Sequence, residues 1–210
     1  MVQMQASHYA PPAGHPLRPF VHGIWQIGVA HPHWRQRVLP CGIVDLMFPL
    51  QGQLTLTGAH TNDPPIMHDA PFVAGLQSRA FSSEAKGPLL MLGVSLKAET
   101  SRAIFSLPAH ELTDLTVRAD HVLPGTEALF GRLHDAATFR DRCDLLMRWL
   151  ARAVRTPDRL ARIEHACSVI GRSDDLSAID RAASAVGYTS RHLRRVFLDF
   201  VGTASARGKA

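Results

Sequence analysis

Apolar and polar positions change period once along this chain, near Lys97. Before that point the signals have the two-residue period of strands. Ile43-Val44-Asp45-Leu46-Met47-Phe48 is an apolar run after Pro40 and Gly42, and Gln53-Leu54-Thr55-Leu56-Thr57 alternates. Gln51-Gly52 between them predicts a hairpin turn. Pro71 to Leu76 and Leu89 to Leu96 predict two further strands, parted by Gly87-Pro88. Residues 1–19, rich in Pro, Gly and His, read as a loose arm, and Pro32-His33-Trp34 as a loop. Short strands at this spacing predict a small barrel or sandwich rather than alternating βα units.

After Lys97 the period becomes helical. Helices are expected over Ala98 to Ser106, Thr126 to His134 and Thr138 to Arg155, the last with Cys143, Leu146, Leu150 and Val154 on one stripe. This stripe either packs on the N-terminal strands, the favoured reading, or forms a dimer interface. Thr156-Pro157-Asp158 breaks the pattern, with Pro157 suited to the first turn of the next helix. Leu160, Ile163, Cys167 and Ile170 then form a second stripe. The fold class is α+β, with a β-rich unit at 1–110, a helical connector at 111–156 and an all-α unit at 157–210.

The last unit carries the chemistry. Ser177 with Asp180 predicts a capping box, Gly187 a turn needing positive φ, and Thr189 a helix N-cap. Beyond it Leu193, Val196, Phe197 and Phe200 recur at three and four residues, leaving Ser190, Arg191, Arg194 and Arg195 on the outer face. Two short helices around a tight turn, the second bearing arginines, match the way a helix-turn-helix presents itself to the major groove. Arginine suits the task because its fork donates two hydrogen bonds to guanine O6 and N7. The alternative is a helical hairpin whose arginines are merely solvated.

Composition sharpens this picture. The 210 residues carry a formal net charge of +5. Residues 181–210 hold Arg181, Arg191, Arg194, Arg195, Arg207 and Lys209 against the one acid Asp199, so the rest of the chain is neutral. A basic end on a neutral body suits a nucleic-acid contact. No apolar run approaches the roughly 20 residues of a membrane span, and no secretory signal is visible. The cysteines, Cys41, Cys143 and Cys167, are odd in number and far apart, which disfavours a disulfide framework. A reducing cytoplasm is the expected compartment.

The stretch from Ala182 to Phe197, followed by Val201-Gly202, resembles the first helix-turn-helix of the AraC/XylS family of bacterial transcription regulators. The quoted features are the capping Thr189, His192-Leu193, Arg194 and Phe197. The resemblance implies that Arg191, Arg194 and Arg195 read bases in double-stranded DNA, with Thr189 and Ser190 helping to hold a phosphate, and that Ala182 is the small helix-packing residue. Pro19 to Trp25, Val38 to Phe48, Phe72-Val73-Ala74-Gly75 and Leu107 to Asp114 resemble the uncharacterised N-terminal domain of one branch of these regulators, which implies a cupin-like sensing module. Cys41 stands where an acidic residue often sits in that domain. A small-molecule effector in this module and a homodimer stay open. Thr203 to Ala210 lacks the linker helix and second unit of the family, so the ending reads as a truncation or frameshift tail and DNA binding is expected to be impaired.

Other chemistry is weaker. His22, His31 and His33 suggest a cupin-like metalloprotein, but no carboxylate lies at a matching spacing; His60 and His68 fall in a polar stretch. No nucleophile motif is visible, so no enzyme, metal or cofactor is expected. Asp141 and Asp144 read as a solvated face beside Arg140, Arg142 and Arg148, and Trp25 and Trp34 as core or as a stacking wall. A non-DNA-binding dimerisation or interaction protein is the second functional class.

Overall fold

The computed structural model describes residues 4–58, 65–105, 107–156, 158–172 and 177–203; the expectations for His60, Ser106, Pro157, Arg207 and Lys209 lie outside them. The described residues form ten strands: β1 (Met4–Tyr9), β2 (Val21–Val29), β3 (His33–Val38), β4 (Ile43–Gln51), β5 (Leu54–Thr57), β6 (Ile66–His68), β7 (Phe72–Ala74), β8 (Phe81–Lys86), β9 (Leu89–Lys97) and β10 (Thr116–Arg118). They form two antiparallel sheets, ordered β1-β2-β9-β4-β7-β10 and β3-β8-β5-β6. No ladder of the described residues joins the two sheets, so the sandwich alternative holds and the barrel does not.

The larger sheet is apolar on both faces, which is why β4 and β9 read as continuous apolar runs. Met47, Phe72, Ala74, Leu89 and Met91 face the smaller sheet, where they meet Leu54, Leu56 and Ala85. Val44, Leu46, Phe48, Val73, Leu92, Val94 and Leu96 point the other way, into a second core shared with the helices.

Several local expectations give way. Met4–Tyr9 is not a loose arm: it pairs with β2 from Met4↔Val29 to Tyr9↔Ile24. His33 and Trp34 open β3, paired with β8 from His33↔Lys86 onward. Gln51-Gly52 makes no hairpin, because β4 and β5 belong to different sheets. Gly52 adopts φ +75°, and its turn passes the chain from one layer to the other. Pro49 is tolerated inside β4 beside a register shift between Pro49 and Gln51.

The described residues form seven α-helices, the first of them before β10: α1 (Arg102–Phe105), α2 (Ala119–Val122), α3 (Thr126–Asp135), α4 (Phe139–Ala153), α5 (Leu160–Gly171), α6 (Ala178–Ala185) and α7 (Ser190–Phe200). The helix expected over Ala98 to Ser106 splits into a 3-10 turn at Ala98–Thr100 and the short α1. A capping box starts α4: Thr138 Oγ1 accepts from Asp141 N at 3.1 Å, and Thr138 N donates to the Asp141 carboxylate at 3.2 Å. Asp141 is exposed, as expected of a solvated face, and serves as the cap as well. Arg142, by contrast, is half-buried and bonded. Its guanidinium donates to Gln26 Oε1 of β2 at 2.7 Å and to the carbonyls of Leu133 and Ala136, tying α4 to the sheet and closing the end of α3.

Cys143, Leu146 and Leu150 are fully buried in the core shared with the larger sheet. In α5 the fully buried stripe is Leu160, Ile163, Ala166 and Ile170, and Cys167 packs half-buried against the same core. That same core continues through Ala182, Leu193, Phe197 and Phe200. The larger sheet and the last two helices thus share one interior.

Two quoted motifs turn out to be a single packed unit. Gly75 sits so close to the 108–114 turn that a Cβ there would lie 1.7 Å from the Leu112 carbonyl oxygen. Gly75 N donates to Leu115 O at 3.0 Å, and Asp114 N to Leu76 O at 2.9 Å. Asp114 holds a positive φ of 59° while its carboxylate accepts from Ser78 N and Ser78 Oγ at 2.7 and 2.6 Å. β10 follows directly and extends the sheet beyond residue 110.

Candidate nucleic-acid interface

The exposed arginines sit on α7, whose first turn is built as its sequence predicts. Thr189 is extended at φ −79°, ψ 153°, and its hydroxyl accepts from His192 N at 3.2 Å. Gly187 takes φ +71°, which lets Tyr188 N reach back to Ala183 O at 2.8 Å and closes the turn from α6. Ala178, Ala182 and Ala183 are buried on the inner side of α6; their single methyl groups let the two helices approach. Leu193, Val196, Phe197 and Phe200 bury the inner face of α7.

Arg191, Arg194 and Arg195 all lie on the exposed face. Arg191 and Arg194 make no hydrogen bond or ion pair with another described residue. Arg195 shares one nitrogen with His192 Nδ1 at 3.1 Å, and His192 in turn meets the Tyr188 ring edge-on at 4.5 Å. Spacings of three and four residues put the three guanidinium groups on one side of the rod.

The expected capping box at Ser177 is absent, because its two members are used elsewhere. The Ser177 side chain makes no cap bond to the start of α6; its hydroxyl takes a hydrogen bond from Arg181. Asp180 reaches across the turn to accept from the Ser190 hydroxyl. That contact clasps α6 to α7, so Ser190 positions the helix and its hydroxyl is already spent.

At its far end α7 is fastened to the segment that follows β9. Arg102 pairs with Asp199 and lies 5.2 Å over the Phe200 ring. Thr113 Oγ1 donates to Gly202 O at 2.9 Å, and His110 Nδ1 lies 3.2 Å from Leu198 O. Sequence reasoning missed this collar, since each pair joins residues about ninety positions apart.

Inside the sandwich is a second polar feature that spacing did not reveal. The Trp25 indole donates to Ser95 Oγ at 3.0 Å, and Ser95 Oγ donates to Asp45 Oδ1 at 2.6 Å. Gly93 leaves room for the Trp25 ring, which a Cβ there would touch at 2.1 Å. Burial pushes the Asp45 carboxyl above its ordinary value, against the pull of the Ser95 and Trp25 hydrogen bonds and the nearby His22. A raised folded-state pKa means that the folded chain binds the proton more readily than the unfolded one, so this group's contribution to stability grows as pH falls towards the ordinary carboxylate value. Asp45→Asn keeps an acceptor for Ser95 and removes the charge. The variant is expected to melt above the wild type at about pH 7, with the difference shrinking by about pH 4.5. Parallel thermal melts check this, and a difference that widens on acidification contradicts it.

The histidines do not converge. His33 Nε2 lies 3.0 Å from Glu84 Oε1, and His33 N donates to His31 Nδ1 at 3.2 Å. His68 ends β6 rather than lying in a loop; it stacks on Phe72 with ring centroids 3.9 Å apart. Burial pushes its pKa down to about 4 and leaves its Nε2 without a described partner. Among the described residues no group of three His, Cys, Asp or Glu side chains could hold a metal ion. Burial also raises the Cys143 and Cys167 thiols to about 11 and about 12, which keeps them protonated. No described helix is long and apolar enough to cross a membrane.

Among curated proteins none matches the chain. Solved structures give distant likenesses. A cupin superfamily protein from Desulfitobacterium hafniense is 18% identical over 45% of this chain and 77% of its own, with a TM-score of 0.32. YhaK from Escherichia coli is 13% identical over 44% of each chain, with a TM-score of 0.36. The AraC-like transcriptional activator CuxR is 11% identical over 91% of this chain and 79% of its own, at 0.38. Scores this low carry no weight for fold detail or function. The model of a domain of unknown function, DUF6597, matches residues 7–118, from within β1 to the last residue of β10. That span is just over half of the 210 residues, and the chain belongs to the DUF6597 family.

Proposed function

We propose that this protein is a DNA-binding transcriptional regulator of AraC type that sets α7 into the major groove. The observation that carries the reading is the exposed face of α7, where Arg191 and Arg194 stand with no described partner while the opposite face is fully buried. Two guanidinium groups with no described partner, on a helix whose backbone is anchored by its buried face, are available donors. Their ordering cost is partly met by the fold, and their natural acceptors are guanine edges and phosphates. Arg191, Arg194 and Arg195 are assigned to base edges and flanking phosphates. Thr189, exposed at the helix start, is assigned to a phosphate contact. Ser190 serves by holding α6 against α7.

One reading helix contacts one groove segment, so the affinity is set chiefly by charge. Neutralising about three phosphates gives a log–log salt slope near −2.7, and affinity falls about twentyfold between roughly 50 and 150 mM salt. Fluorescence anisotropy with a mixed-sequence duplex is expected to show that slope, with a Kd of about 1 to 100 µM at the higher salt. A chain with no salt-dependent binding at about 50 mM overturns the reading.

A further inference from the structure

We propose that the cleft bounded by α1, α2 and α4 binds a small carboxylate with an aromatic or aliphatic body. This site is separate from the arginine face of α7 and independent of the DNA reading. The cleft has a volume of about 520 Å³, within the range of small-molecule pockets. Its floor is apolar, with Phe105 and Leu123 buried, and Val122 is half-buried beside them. One wall is Trp149, half-buried, whose indole N–H bonds to no described residue. Arg152 and Arg155 stand exposed at the rim.

The charges decide the ligand. The Arg152 guanidinium has no hydrogen bond or ion pair with a described residue. Arg155 uses Nη1 on the Arg152 and Val154 carbonyls, at 2.8 and 3.3 Å, and has no acidic partner among the described residues. None of the described residues lining the cleft is acidic. An apolar hollow with two cations and an indole donor is complementary to one negative group on a hydrophobic body. A neutral apolar ligand would leave the donors unanswered, and a polyanion would waste the floor. Arg155 N also donates to Ala103 O, which fixes the rim against α1.

Two probes separate the sources of such a ligand: 2-naphthoate for aromatic acids and decanoate for alkyl acids. An NMR titration of the full chain follows the Trp149 indole N–H, identified among the three tryptophans by its loss in Trp149→Phe. At low salt at least one probe is expected to bind with a Kd below about 1 mM and to move that resonance. Arg152→Gln combined with Arg155→Gln is expected to weaken binding at least tenfold, or ~1.4 kcal/mol. Val122→Trp, which fills the hollow and spares both charges, is expected to abolish it. Because Arg155 also closes the end of α4, Arg152→Gln alone serves if the double variant is unfolded. Neutral 2-naphthalenemethanol is expected to bind at least tenfold more weakly, again ~1.4 kcal/mol. Any of three results overturns the proposal: no shift of the Trp149 resonance with either acid at about 5 mM, equal binding of the neutral alcohol, or charge variants that bind like the wild type.

Discussion

Replacing Arg191 and Arg194 together by Ala is expected to lower duplex affinity at least tenfold at about 50 mM salt and to flatten the salt slope by about 1.8. The argument rests on what these side chains do without DNA. Both are exposed and neither engages a described residue, so their removal should change folding stability by no more than about 0.5 kcal/mol. The loss therefore belongs to binding. Each neutralised phosphate contributes about 0.9 to the slope, and each good contact to guanine about 1–3 kcal/mol of discrimination. The slope distinguishes a direct contact from a folding defect, and a thermal melt provides the control. Arg195→Ala is expected to cost less, because His192 already holds one of its nitrogens. An unchanged slope in the double variant would remove α7 from the interface.

The largest stability effect is expected at Gly75. A Cβ there would lie 1.7 Å from the Leu112 carbonyl oxygen and 2.5 Å from its carbon. Both are backbone atoms, and four contacts hold that backbone: Gly75 to Leu115, Asp114 to Leu76, and two from Ser78 to Asp114. No side-chain rotation can relieve the clash. Gly75→Ala must push the 108–114 turn off the end of β7, which costs about 3 kcal/mol or more and lowers the Tm by roughly 6–12 °C for a chain of this size. Gly131→Ala is the matched control. That glycine lies on the exposed face of α3 with nothing within 4 Å of an added Cβ, so a gain of up to about 1 kcal/mol is expected. Differential scanning calorimetry on the pair decides the point: equal midpoints would mean that the turn is not rigid.

The elements legible in the sequence were those whose own residues carry the burial. β4 and β9 announce themselves as apolar runs because both faces of the larger sheet are covered. α7 does so because its buried residues recur at helical spacing behind a Thr cap. β1 and β3 did not, since their residues are mostly exposed or half-buried and their conformation comes from pairing with β2 and β8. The Gln51-Gly52 turn misled because a positive-φ glycine serves a change of layer as well as a hairpin. Asp45 stayed hidden for another reason. A single acid inside an apolar run has no spacing to read, and its partner Ser95 lies fifty residues away. The arginine face was visible in full, whereas the swap of Asp180 from cap to clasp depends on a fold that brings Ser190 beside it.

The fastening of α7 to Arg102, His110 and Thr113 makes the helix a lever with its pivot at one end. Its eleven residues span about 16 Å from collar to tip. A tilt of about 5° at the pivot therefore sweeps the arginine end through about 1.4 Å, enough to carry a donor outside the roughly 2.7–3.2 Å window of a hydrogen bond. Because Asp180 clasps the tip of α7 to α6, such a tilt has to carry the two helices together, with no need to unfold the turn that joins them.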